Sequence, residues 1–148
     1  MSEVEIAFIG GSGLYKIPNL KKIKWKTVKS SFGKPSWKVC LGSLNGKSIA
    51  FLPRHGINHN ISPSKINYRA NIECLKKIGV QNIISLSAVG SLREDFKPGD
   101  FVVVDQFIDN TYLRNKTFFE DDCVSHIPMS SPVCENLREI SIKNLKKL

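Results

Sequence analysis

The chain has 148 residues, 41% hydrophobic and 24% charged, the balance of one globular domain with a core of its own. Its 22 lysines and arginines against 13 acidic residues give a net charge of +9, which attracts anions of any kind, nucleic acid included. No run is long and apolar enough to cross a bilayer, and Met1-Ser2-Glu3 opens unlike a secretory leader, so the expected location is the cytoplasm.

Ile6 to Ile9 is a short apolar run that breaks at Gly10-Gly11-Ser12-Gly13, the pattern of a buried strand delivering its end to a loop of small residues. Such a loop can turn several backbone N–H groups toward an anion, and it can equally be a plain tight turn. It fits neither nucleotide motif: the Walker lysine is absent, and Lys16 stands where the third dinucleotide glycine would fall. Lys16, Lys21, Lys22, Lys24, Lys26 and Lys29 then crowd one stretch without the interleaved aromatics of a nucleic-acid surface, and read as a solvated face.

A hairpin follows, Lys38 to Leu44 and Lys47 to Leu52 around Asn45-Gly46, a pair that tolerates the positive φ values of a type I′ turn. Its second strand runs into Pro53-Arg54-His55-Gly56, with His59 behind, placing a guanidinium and an imidazole at a strand end where an anion is the simplest partner. Metal is the rival for His55, His59 and His126. Gly56 between the first two, directly after a strand, opposes the helix that would align them, so no metal ligand is assigned.

Ser62-Pro63 reads as the start of a helix that Gly79 closes, with Lys76-Lys77 suited to its C-terminal end. Ile66, Ala70, Cys74, Leu75 and Ile78 form its buried stripe. Val80 to Ala88 reads as a strand ending at a second small-residue loop, Ser87-Ala88-Val89-Gly90-Ser91, and Phe101 to Ile108 as another strand after the Lys97-Pro98-Gly99-Asp100 turn. The chain is irregular from Asp109 to Cys123, and a last helix from about Ser131 carries Val133, Leu137, Ile140, Asn144, Leu145 and Leu148 on one side. Cys40, Cys74, Cys123 and Cys134 contain no Cys-x-x-Cys and read as reduced thiols. Helices alternating with strands, and an early hairpin, predict an α/β fold with a mixed β-sheet flanked by helices.

In order and spacing, Ile9-Gly10-Gly11-Ser12-Gly13-Leu14, Phe32-Gly33-Lys34-Pro35-Ser36, Arg54-His55-Gly56 with His59, and Pro63-Ser64-Lys65-Ile66-Asn67-Tyr68-Arg69-Ala70-Asn71 resemble the methylthioadenosine phosphorylases. Gly90-Ser91-Leu92-Arg93, Pro98-Gly99-Asp100, Asp105-Gln106-Phe107-Ile108-Asp109 and His126-Ile127-Pro128-Met129 extend the match to most of the chain. These enzymes are a branch of the trimeric purine nucleoside phosphorylases.

The resemblance implies phosphorolysis of 5′-methylthioadenosine to adenine and 5-methylthioribose 1-phosphate. Inorganic phosphate is then a co-substrate, and no cofactor, nucleic acid or membrane partner is needed. By family pattern Ser12, Arg54, His55, Ser87 and Ala88 bind phosphate, Ser87 standing where the family usually has threonine. His126 would reach a neighbouring subunit's substrate in a trimer, with Phe107, Asp109 and Met129 as lesser interface candidates.

Family members continue for roughly as long again, so residues 1–148 are expected to be the first part of a single domain. The continuation brings the groups that hold the purine, so no residue here is assigned to protonating the leaving base. Without it, apolar sheet surface should be exposed and prone to association. The alternatives are a phosphorylase for guanosine, inosine or methylthioinosine; an inactive fragment or split-protein half that binds phosphate; and, from charge alone, a nucleic-acid-binding module.

Overall fold

A computed structural model describes residues 4–11, 13, 17–119 and 123–147. The chain falls into two compact units, Met1–Ala88 and Val89–Leu148.

The first unit is a mixed five-stranded sheet with helical structure between its last two strands. Strands β1 (Ile6–Gly10), β2 (Lys21–Lys26), β3 (Val39–Leu44), β4 (Lys47–Pro53) and β5 (Asn82–Leu86) lie in the order β2-β3-β4-β1-β5. β3 runs antiparallel to β2 and β4 on either side of it, whereas β1 is parallel to both its neighbours. The hairpin forms as predicted: Leu44 pairs with Lys47, and Asn45 and Gly46 take φ values of 48° and 81°.

Two helix boundaries differ from expectation. Ser62-Pro63 opens only a 3-10 turn, Pro63–Lys65, and helix α1 begins at Tyr68. Asn67 is the true cap, its Oδ1 accepting from the Ala70 N–H at 3.0 Å, while Ser62 makes no capping bond. α1 ends at Lys77, before Gly79 with φ of 95°. The apolar stripe is otherwise as read: Ile66, Ala70, Cys74 and Leu75 are buried and Ile78 is half-buried. Cys74 and Leu75 pack on Ala7, Ile9, Val39, Leu41, Ala50 and Leu52 of the sheet.

The polar side of α1 holds segment 28–36. Asn67 Nδ2 donates to the Phe32 carbonyl at 2.7 Å, buried Asn71 exchanges hydrogen bonds with Ser36 at 2.8 and 2.9 Å, and Lys77 donates to the Lys29 carbonyl at 3.1 Å. Glu73 accepts from the Ser31 N–H and hydroxyl at 2.7 and 2.6 Å and pairs with Lys77 at 3.0 Å. β2 is one edge strand of the sheet, exposed throughout and with an irregular register between Lys21 and Lys24. Of the lysines predicted as a solvated face, Lys21, Lys22, Lys24 and Lys26 are exposed on this strand and Lys29 is exposed beyond it, while Lys16 lies outside the described residues. A charged, irregular edge discourages pairing with another sheet.

The second unit has helix α2 (Glu135–Leu145), four residues later than predicted, because its cap position falls at Cys134. The expected strand over residues 101–108 does not form. The segment has no regular structure, bends at Asp105 and joins no ladder, and a strand persists only where another supplies hydrogen-bond partners. No described residue of this unit is buried, and Val89, Leu92, Phe101, Ile108, Tyr112 and Val124 are exposed apolar groups.

Glu73 gives this fold an acid limit. Hydrogen bonds from the Ser30 and Ser31 hydroxyls, then from Lys77 and the Ser31 backbone, lower its carboxyl from an ordinary 4.5 to about 2. Its contribution should be complete above pH 4.5 and fade as the pH falls toward about 2. Chemical unfolding measured across that window should show a stability loss in the parent chain that Glu73→Gln reduces.

Candidate anion-binding site

The parallel registers place three strand ends level. Gly10 sits opposite Pro53 on one side and Leu86 on the other, so the loops beginning at Gly11, Arg54 and Ser87 leave one edge of the sheet together. The Arg54 N–H donates to the Gly10 carbonyl at 2.9 Å, extending the β1–β4 ladder into the loop. In α/β sheets this carboxyl edge is where ligands gather.

Arg54 joins the three loops. Its Nη1 donates to Ser87 Oγ at 2.6 Å, and its Nη2 lies 3.9 Å from where a side chain on Gly11 would begin. Its Nε donates to His55 Nε2 at 3.3 Å. A guanidinium has five N–H donors and no acceptor. With Nε and one Nη1 hydrogen engaged, three N–H groups on the Nη1–Nη2 end have no partner among the described residues. Ser87 Oγ accepts from Arg54, so its own hydroxyl proton is available to a further acceptor.

His55 is buried at 8% exposure and closes the turn that carries it. The Ile61 N–H donates to the His55 carbonyl at 3.1 Å, and His55 Nδ1 meets the Ile61 carbonyl at 2.8 Å. A carbonyl only accepts, so Nδ1 carries the proton; an arginine Nε only donates, so His55 Nε2 supplies a lone pair. The ring stacks on His59 with centroids 4.5 Å apart. Gly56 has φ of 74°, and a Cβ there would stand 2.7 Å from Asn60 Oδ1 inside the same turn.

Of the residues singled out in the sequence, Arg54, His55 and Ser87 are brought into direct contact, and Ala88 follows Ser87 at the same edge. Ser12 lies outside the described residues. His126 lies in the second unit and is exposed. There Asp109 accepts from the Thr111 hydroxyl and N–H at 2.6 and 2.9 Å and pairs with Lys116 at 3.1 Å, which lowers its carboxyl to about 2. Phe107 and Met129 are half exposed, and the Met129 carbonyl accepts from Gln106 Nε2 at 2.8 Å. The contact sequence reasoning missed is the His55–Ile61 lock. Its donor was visible in the sequence, but a carbonyl acceptor has no sequence signal.

Residues 5–148 match the profile of the phosphorylase superfamily. The chain belongs to that superfamily. It is 51% identical over its whole length to an S-methyl-5′-thioadenosine phosphorylase of Thermofilum pendens and 52% identical over 99% of its length to one of Hyperthermus butylicus. Those matches cover 56% and 53% of the relatives, so this superfamily member spans about half their length. In fold it resembles a methylthioadenosine phosphorylase from an antarctic soil metagenomic library, with a TM-score of 0.91 and 46% identity over 97% of this chain and 50% of the other. The Schistosoma mansoni methylthioadenosine phosphorylase in complex with adenine gives a TM-score of 0.90 and 42% identity over 97% and 54%. These likenesses agree with the mixed α/β fold read from the sequence.

Gly46 and Gly56 share a positive φ, but nothing lies within 4 Å of a Cβ at Gly46. Alanine at Gly46 should cost only the left-handed backbone term, roughly 1–2 kcal/mol. Alanine at Gly56 should cost more, because Asn60 must also move. Urea unfolding of the two variants measures the difference, and equal costs would show that the 55–61 turn yields freely.

Proposed function

We propose that this chain supplies the phosphate-binding part of a phosphorolysis site for 5′-methylthioadenosine. The observation that carries the reading is Arg54 spanning the aligned ends of β1, β4 and β5, with unengaged N–H groups facing the Gly11 loop. The choice of nucleoside rests on relatives named S-methyl-5′-thioadenosine phosphorylase.

In this reading phosphate lies against the Nη1–Nη2 end of Arg54, the Ser87 hydroxyl and the backbone of the Gly11–Ser12 and Ser87–Ala88 loops. A phosphate oxygen attacks the anomeric carbon of the ribose as the bond to the adenine nitrogen breaks. The bonding electrons leave with the base, which takes up a proton from elsewhere, and the products are adenine and 5-methylthioribose 1-phosphate. The ring passes through an oxocarbenium-like state, so an anion fixed beside it acts by positioning and by charge. No protein nucleophile or cofactor takes part. We assign His126, with Phe107, Asp109 and Met129, to contacts with a neighbouring protomer in a trimer, and the enzyme to the cytoplasm.

Calorimetric titration of inorganic phosphate into the chain tests the anion site. Arg54→Ala should weaken binding roughly tenfold or more, as expected for loss of charge-assisted hydrogen bonds. Arg54→Lys should recover little, since an ammonium cannot reach His55, Ser87 and an anion at once. Unchanged affinity in Arg54→Ala would remove the assignment.

A further inference from the structure

We propose that His55 is a positioning residue that aims Arg54 through Nε2 and makes no hydrogen bond to phosphate with its ring; this rests on the phosphate reading above. The family resemblance puts His55 among the phosphate-binding residues beside Arg54. The geometry assigns it another task, because each ring nitrogen already has a partner whose chemistry allows one role. The Ile61 carbonyl at 2.8 Å requires a proton on Nδ1. The Arg54 Nε–H at 3.3 Å requires a lone pair on Nε2. A ring protonated at Nε2 would set two donors against each other.

The consequence concerns the direction of the guanidinium. Arg54 can offer an anion either its Nε–Nη side or its Nη1–Nη2 end. Occupation of Nε by His55 removes the first choice, and the Ser87 bond fixes rotation about the second. His55 is itself held from three directions: by the Ile61 carbonyl, by the return bond from the Ile61 N–H, and by the ring of His59. A buried imidazole locked this way works as a fixed acceptor, as outer-shell partners of metal ligands fix a tautomer and an orientation.

Nitrogen-15 NMR of the uniformly labelled chain tests this directly. The account expects His55 as the neutral Nδ1–H tautomer both before and after saturation with inorganic phosphate, with the Arg54 Nε–H slowed in exchange. A proton on His55 Nε2 in the phosphate-bound state would overturn it, since the ring would then be a donor to the anion. Two variants give a second reading. His55→Asn keeps a donor near Ile61 but cannot reach Arg54, and should lose the slow Nε–H signal and roughly tenfold in phosphate affinity. His55→Gln places an amide oxygen within reach of Arg54 and should stay within about threefold of the parent while keeping that signal. Equal affinity and equal Nε–H exchange in the Asn variant and the parent would also overturn the proposal. The parent spectra decide the matter should either variant fail to fold. Absence of phosphate binding by a parent chain that shows the Nδ1–H tautomer and the slow Nε–H would defeat the phosphate reading and leave the Arg54–His55 contact standing.

Discussion

The level ending of three parallel strands is the constraint on which the site depends. Gly10, Pro53 and Leu86 share a register, and the Arg54 N–H bond to the Gly10 carbonyl carries it one residue beyond the sheet. A slip of one residue in either pairing would turn the side chains of the moving strand to the opposite face. It would also part Arg54 from Ser87, whose contact at 2.6 Å exists only because β4 and β5 end together on either side of β1. The register is fixed in turn by burial. Ala7 and Ile9 of β1 and Ala50 and Leu52 of β4 put their side chains into one cluster under Cys74 and Leu75 of α1, so a slipped strand would lose its core contacts.

The rest of the first unit holds that arrangement still. The type I′ turn at Asn45-Gly46 sets the β3–β4 pairing, and α1 both covers the sheet and ties segment 28–36 through Asn67, Asn71, Glu73 and Lys77. That segment touches the site turn as well, since the Ser36 carbonyl lies 3.5 Å from where a side chain at Gly56 would begin. A rigid surround suits a site whose work is to hold a guanidinium in one orientation. Pre-set donors need no rearrangement when charge develops on the reacting atoms.

The sequence made these features legible where local chemistry decided the outcome. Asn45-Gly46, the apolar stripe of α1, Gly79 after Lys76-Lys77, and the pairing of Arg54-His55 with a small-residue loop could be read from residue type and spacing. What failed turned on partners distant in sequence. Ser62-Pro63 has the local pattern of a helix start, but the cap is Asn67, whose amide also bonds the Phe32 carbonyl, a contact no local pattern shows. Residues 21–26 carry strand alternation, Ile23 and Trp25 between lysines, yet neither face is buried and the hydrophobic signal is weak. Residues 101–108 have strong strand character and no ladder. In the site, Arg54 and His55 stand out by residue type and Ser87 by family pattern, while the tautomer of His55 depends on a backbone carbonyl six residues away.

The second unit contrasts with the first: among its described residues it has one helix, none that is buried, and acidic groups such as Asp109 satisfied by their near neighbours. The phosphate claim therefore rests on the first unit alone, and it is most directly tested by amide chemical-shift mapping of the chain on addition of inorganic phosphate. Saturable shifts should cluster at Gly11, Arg54, Ser87 and Ala88. Shifts confined to the lysines of β2, or none that saturate, would contradict it.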